Sequence, residues 1–252
     1  MAEPLLAVDN VSCWFGGLKA VDGASLSALP GRITALIGPN GAGKTTLFSI
    51  ISGFVRAREG AIRYAGQEIT GKPPHELARL GIARTFQIVQ PFVGLSVREN
   101  ILVGAHLHHR ARDAALAVAN RVGRDLGLTD MLDRPADTLT VAARKRLELA
   151  RALATEPKLL LLDEVLAGLN PTEIRDIVPV IRDLCRRGIT ILMIEHVMQA
   201  VMSLAGHVFV LSEGRIIAEG SPQAIAGDPR VVEAYLGKGA AARMTAAGGA
   251  HA

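Results

Sequence analysis

An α/β fold with a mostly parallel sheet, an antiparallel β subdomain and an inserted helical subdomain is the class this sequence predicts. Three observations lead there. RITALIG, LLLLD and TILMIE are short apolar runs bounded by polar residues or glycine, as strands buried on both faces must be. Helical patterns separate these runs, which places the strands side by side with crossover connections. Between Leu95 and Glu156 the pattern is helical alone.

In chain order, LLAVDNVSCWFG with ASLSALPG, and then GAIRYAGQEI from Gly60 to Ile69, read as antiparallel hairpin material. LFSIISG is an apolar helical run ending at Gly53. SVRENILVGAHLHHR, ARDAALAVANRVGRDLG and the stretch after Leu139 read as three helices. The expected organisation is an α/β core in two parts, 1–92 and 158–236, around a helical subdomain at 93–157, with a disordered small-residue tail at 237–252.

The 252 residues, 49% of them hydrophobic, carry enough apolar material for a sizeable core. No apolar run approaches the ~20 residues that span a bilayer, and MAEPLLAVDN lacks a basic start and cleavage site, so a cytosolic chain is expected. Cys13 and Cys185 stand far apart, which leaves free thiols rather than a disulfide or zinc site. A net charge of +4 is too small to indicate nucleic acid, and no nucleic-acid partner is expected.

The strongest chemical signal follows RITALI. Gly38, Pro39, Asn40, Gly41, Ala42, Gly43, Lys44, Thr45 and Thr46 form GPNGAGKTT, the phosphate loop G-x-x-x-x-G-K-[ST] of a P-loop NTPase core. Its glycines let successive backbone N–H groups turn toward phosphate oxygens, and the helix that follows adds its positive end. Lys44 would bridge the β- and γ-phosphates of ATP, and the Thr45 hydroxyl would coordinate Mg2+. LLLLDE ends a buried strand with two acids, which would carry Asp163 to the metal and Glu164 to the attacking water.

With GPNGAGKTT in place, ARTFQ from Ala83 to Gln87, RLELARAL before LLLLDE, AGLNP from Ala167 to Pro171 and IEH from Ile194 to His196 follow in an order that resembles ABC-transporter ATPase subunits. FGGLKAV, GIARTFQ, AGLNPTE, IEHVMQAVM and DPRVVEAYLG look like the ATPases of branched-chain amino-acid importers. The resemblance implies that Phe15 stacks on adenine, that Gln87 touches the metal and the water, and that His196 bonds the γ-phosphate. It also implies a second ATPase subunit, the same or related, closing over two ATP molecules. Membrane permease subunits would dock at the Gln87–Ser96 loop and the helical subdomain on the cytoplasmic face, with a substrate-binding protein acting from outside. A soluble ATPase working on nucleic acid or ribosomes would carry a second cassette or a long inserted arm, and neither is seen in the sequence.

The segment LTVAA, from Leu139 to Ala143, stands where the family usually has LSGGQ. Thr140 keeps a hydroxyl, whereas Val141 and Ala142 replace glycines in a segment that the resemblance places against the partner's nucleotide. Were positive φ required there, valine would add strain of roughly 1–3 kcal/mol, and an impaired or merely regulatory ATPase would result. In the helix after it, Leu147, Leu149, Ala150 and Leu153 are expected to face inward, and Arg144, Lys145 and Arg146 to form a solvated face. Two smaller departures are Val165 in place of proline and Asn170 in place of aspartate. His106, His108 and His109 read as adjacent residues on one helix, pointing apart, and not as a metal site.

Overall fold

The computed structural model describes residues 3–87 and 90–236, so the expected tail at 237–252 lies outside the described residues. Strands β1 (Leu6–Phe15) and β2 (Leu18–Ala28) pair antiparallel across the Gly16–Gly17 turn. β3 (Ile33–Ile37), buried at all five positions, begins the second sheet, and the loop after it enters α1 (Lys44–Ile51). The chain then returns to the first sheet through β4 (Glu59–Tyr64), antiparallel to β1, and β5 (Gln67–Glu68). The order in this sheet is β2-β1-β4-β5.

After α2 (Pro74–Leu80) and β6 (Ile82–Arg84) come α3 (Val97–Ala105), α4 (Arg112–Asp125) and α5 (Val141–Leu153). β7 (Leu159–Asp163), α6 (Pro171–Arg186), β8 (Thr190–Ile194), α7 (Met198–Leu204), β9 (His207–Ser212) and β10 (Arg215–Gly220) complete the second sheet, and α8 (Pro222–Ala226) and α9 (Pro229–Leu236) follow. Its order is β10-β9-β3-β8-β7-β6, parallel except where β9 meets β10.

Alternation along the strands sorts the core into two layers. Ile33, Ala35, Ile37, Leu160, Leu162, Ile191 and Met193 face one layer together with the buried sides of α3, α4 and α5. Leu36, Leu159, Leu161, Leu192 and Ile194 face the other, against Leu47 and Phe48 of α1 and the inner side of the antiparallel sheet. The carboxyl ends of β3, β7 and β8 therefore open between α1 and the inserted helices, where open α/β sheets hold ligands.

The third-helix reading holds for α5, in which Leu147, Leu149, Ala150 and Leu153 are all buried. The histidine reading needs correction. α3 stops at Ala105, because the N–H groups of His108 and His109 both turn back to its carbonyl. His106 and His109 thus sit past the helix, where His109 Nε2 lies 2.9 Å from Glu156. Among the described residues no cluster of His, Cys, Asp or Glu is arranged to hold a metal ion.

α3 and α5 approach closely at Gly104, where an added Cβ would lie 2.5 Å from the Arg151 carbonyl oxygen and 3.1 Å from the Ala154 Cβ. Alanine is the better helix former by ~1 kcal/mol, but backbone cannot yield as a side-chain tip can. Overpacking of this kind costs typically 1–3 kcal/mol. Gly104→Ala is expected to lower the unfolding free energy by about 1–2 kcal/mol in chemical denaturation, whereas a gain would show that the two helices separate without loss.

Candidate active site

The phosphate loop is held by its neighbours before any ligand is considered. Gly43 has φ 103°, and a Cβ there would lie 2.1 Å from the Ala20 carbonyl oxygen, so only glycine fits this last residue before α1. Lys44 is buried, and its ammonium donates to the carbonyls of Gly38 (2.8 Å) and Pro39 (2.9 Å). Burial lowers its pKa, and the negative charges of Glu164 and Asp163 oppose that fall. Phe15, 53% exposed, lines one hollow with Asn40, Gly41, Ala42, Gly43, Lys44, Thr45, Thr46, Gln87 and Glu164. Its neighbour Trp14 faces a different hollow, with Gly16 and Gly17.

Asp163, at the end of β7, is 1% exposed. Its Oδ2 accepts from Arg84 at 2.7 Å, while the buried Oδ1 has no hydrogen-bond partner among the described residues. Burial raises the Asp163 pKa, and the hydrogen bond from Arg84 pulls the other way. Arg84 also donates to Ser49 (3.0 Å) of α1 and to Ser52 (3.1 Å), which caps the end of that helix. The residues expected to serve the metal, Thr45, Gln87 and Asp163, line a second hollow beside Arg84. A hydroxyl, an amide and a carboxylate with a free buried oxygen form the all-oxygen donor set that suits a hard cation such as Mg2+.

Glu164 is the junction of the site. Its carboxylate accepts from Gln87 Nε2 at 2.7 Å, and its other oxygen lies 2.6 Å from His196 Nε2. The three residues assigned to the water and the γ-phosphate are thus brought together at the mouth of the phosphate loop. The Glu164 backbone is left-handed, with φ 49°. Its N–H donates to the Ile194 carbonyl (3.0 Å), and its carbonyl accepts from Ala167 N (3.2 Å) and Lys145 Nζ (3.0 Å).

The structure corrects two expectations at α5. Lys145 is not on a solvated face: it is 8% exposed and turned toward Glu164, while Arg144 and Arg146 donate to the carbonyls of Asp137 and Leu126. Val141 and Ala142 carry no positive-φ strain, because they are the first helical residues of α5. Thr140 caps that helix with φ −64°, its hydroxyl accepting from Ala143 N at 3.3 Å. None of Thr140, Val141 and Ala142 lines the phosphate-loop hollow of the same chain.

Sequence reasoning missed Arg84, Glu195 and Tyr235. Arg84 stands inside ARTFQ, and a lone charge ending an apolar strand beside LLLLD was the available signal. Glu195 is 1% exposed and accepts from Leu166 N at 2.9 Å. Burial pushes its pKa up to about 7. The Tyr235 hydroxyl of α9 meets the backbone N–H of Gly38, a contact that no local pattern announces.

The profile of the family described as "ABC transporter" matches residues 21–167. The chain belongs to the ABC transporter family. A second profile, "Branched-chain amino acid ATP-binding cassette transporter", matches residues 215–241 of this ABC cassette. The chain is 39% identical to the high-affinity branched-chain amino acid transport ATP-binding protein BraF of Pseudomonas aeruginosa, over 94% of this chain and 100% of BraF. It is equally identical, 39% over the same shares, to LivG of Escherichia coli (strain K12), whose name is the same but for the last word. A solved nucleotide-free ATP-binding cassette from an ABC transporter superposes with a TM-score of 0.86 at 36% identity, covering 94% of this chain and 100% of that one. The ADP conformation of an ABC-transporter cassette gives 0.84 at 36% identity, with the same coverage. The fold is accordingly the P-loop NTPase cassette with its antiparallel β part and inserted helices, and the protein is an ABC-type ATPase.

The raised pKa of Glu195 has a consequence for stability. The folded chain holds this proton more tightly than the unfolded one, so the stabilisation is complete below the ordinary value of 4.5 and is lost as pH rises through about 7. The shift corresponds to about 3 kcal/mol. Relative to Glu195→Gln, the wild-type chain is expected to lose unfolding free energy of that order between pH 4.5 and pH 8, measured by denaturation at each pH. A constant difference would show that Glu195 does not titrate there.

Proposed function

We propose that this chain drives the uptake of branched-chain amino acids by an ABC importer, hydrolysing MgATP between two paired cassettes on the cytoplasmic face of the membrane. The cluster of Gln87 and Glu164, which line the Lys44 hollow, with His196 on the Glu164 carboxylate, carries this reading. In it, Gly38, Pro39, Asn40, Gly41, Ala42, Gly43, Lys44, Thr45 and Thr46 cradle the triphosphate, and Phe15 covers the adenine. Thr45, Gln87 and Asp163 would hold Mg2+, which, when bound, neutralises charge developing on the β- and γ-phosphates. Glu164 takes a proton from the attacking water, Gln87 orients it and His196 bonds the γ-phosphate. Thr140, Val141 and Ala142 serve the nucleotide of the second subunit, which fits their position outside this chain's own hollow. Branched-chain amino acids are the cargo named for BraF and LivG.

Among the described residues no helix is long and apolar enough to cross a membrane, so movement has to pass to other subunits. An apolar groove between α2 and the inserted helices, lined by Phe54, Leu77, Phe86, Phe92 and Val103, supports docking of permease helices. Phe54 is 55% exposed there. The groove also borders the boundary between 1–92 and 93–157, so a partner seated in it would bear on both the core and the helical subdomain. A substrate-binding protein would act through the permease from the other side. A second reading, a regulatory subunit that hydrolyses weakly, is favoured by the side chains of Val141 and Ala142.

Phosphate release and nucleotide binding test both readings. Lys44→Ala is expected to lose ATP affinity. Glu164→Gln is expected to keep it and to lose about a hundredfold or more in kcat, the range of a general base. Wild-type rates in both variants would overturn the hydrolytic reading. Val141→Gly with Ala142→Gly should cost about 1–2 kcal/mol of stability, since both residues are helical. A rise in kcat of more than tenfold in that variant would favour the regulatory reading, and an unchanged kcat would remove its support.

A further inference from the structure

We propose that Lys145 is a positioning residue for hydrolysis, its buried ammonium tying the first turns of α5 to the backbone of Glu164 so that the placement of this helix fixes the direction of the catalytic carboxylate. The proposal rests on the reading of Glu164 as the group that readies the water.

A lysine near the start of a surface helix ordinarily extends its ammonium into water. Lys145 does the opposite, at 8% exposure, and desolvation lowers its pKa. An ammonium is kept in such a place only by hydrogen bonding and opposite charge. Both are present: Nζ donates to the Glu164 carbonyl at 3.0 Å, and the charges of Glu195, Glu164, Asp163 and Glu148 act on it favourably, in that order.

The residue it grips has a backbone that needs holding. Glu164 is a non-glycine residue at φ 49°, a conformation that persists where the surroundings over-determine it. Ile194 holds its N–H from β8, and Ala167 and Lys145 hold its carbonyl. Two residues further on, Glu195 takes the N–H of Leu166. Of these ties, only the one from Lys145 comes from the inserted helices. The others lie within the turn or come from the end of β8. Lys145 is therefore the point at which a displacement of α5 reaches the Glu164 peptide directly. Rotation of that peptide swings the carboxylate away from Gln87 and His196. Nucleotide binding, which uses the phosphate loop, is left in place.

The test uses the full-length chain with MgATP. Lys145→Met keeps the length and removes donor and charge, and Lys145→Arg keeps both. For Lys145→Met, kcat is expected to fall about tenfold, or about 1.4 kcal/mol of barrier, while the KM for ATP and the nucleotide affinity stay within about twofold of wild type. Lys145→Arg should recover most of the loss. In a Glu164→Gln background, Lys145→Met should cause no further loss, because the two act through one group. A Lys145→Met chain that melts at the wild-type temperature and hydrolyses at the wild-type rate, while Glu164→Gln is inactive, overturns the proposal and leaves the ATPase reading intact. Equal and parallel losses of nucleotide binding and kcat also overturn it, since they mark a general structural role. Full activity in Glu164→Gln removes the reading beneath it.

Discussion

The buried ion pair between Arg84 and Asp163 is the constraint around which the site is built. β7 lies between two other strands and is buried at every position, yet it ends in a carboxylate that is 1% exposed. A charge in that position demands a partner, and breaking such a pair costs about 3–5 kcal/mol. Arg84 supplies it from the end of the adjacent strand β6, and the same guanidinium reaches Ser49 in α1 and Ser52 at its C-terminal cap. One side chain thus sets the positions of β6, β7 and the helix that follows the phosphate loop. It also leaves Asp163 Oδ1 without a hydrogen-bond partner among the described residues, in a residue that lines the hollow shared by Thr45 and Gln87. The arrangement that stabilises the strand ends is the one that leaves this buried carboxylate oxygen free.

Glu164 inherits its position from that pair. Asp163 is the last residue of β7, and the chain turns left-handed at the next residue. The turn points one carboxylate at Gln87, past the end of β6, and at His196, past the end of β8. Three strand ends therefore meet at one carboxylate, and each contributes a residue only because parallel strands present their carboxyl ends on the same edge. Lys44 joins from the helix after β3, the fourth strand of the same edge.

Much of this was legible in the sequence, for physical reasons that can be named. β3, β7 and β8 are buried on both faces, so their apolar runs had no competing explanation. The phosphate loop was legible because Gly43 meets backbone on one side and has φ 103°, a requirement that only one residue type satisfies. The destinations of charged side chains were not legible. Lys145 lies in a run of three basic residues that any local rule assigns to solvent, and only the approach of the β7–α6 turn to α5 buries it. Glu195 follows TILMI as an acid follows many strands, and its burial depends on the turn at Leu166 lying over it. The strain expected at Val141 was misread for a related reason. Glycine in this segment suggested positive φ, but the chain is already helical at Val141, so what a side chain affects there is how closely another body can approach.

The charges around Glu164 show why these hidden residues matter together. A bound triphosphate brings several negative charges to a place that already holds Asp163, Glu164 and Glu195. Arg84 pairs with Asp163, Lys44 acts on Glu164 and Asp163, and Lys145 acts on all three. With its pKa near 7, Glu195 is partly neutral at ordinary pH, which removes part of one negative charge from the surroundings of Glu164. Its N–H partner at Leu166 can be held by either form of the carboxyl group, so the turn survives the change of charge. Asp163 is desolvated too, and Arg84 opposes the rise in its pKa. Burial raises the pKa of both acids on these neighbouring strand ends, and their partners oppose the rise: Arg84 at Asp163, and the N–H groups of Leu166 and His196 with Lys145 at Glu195.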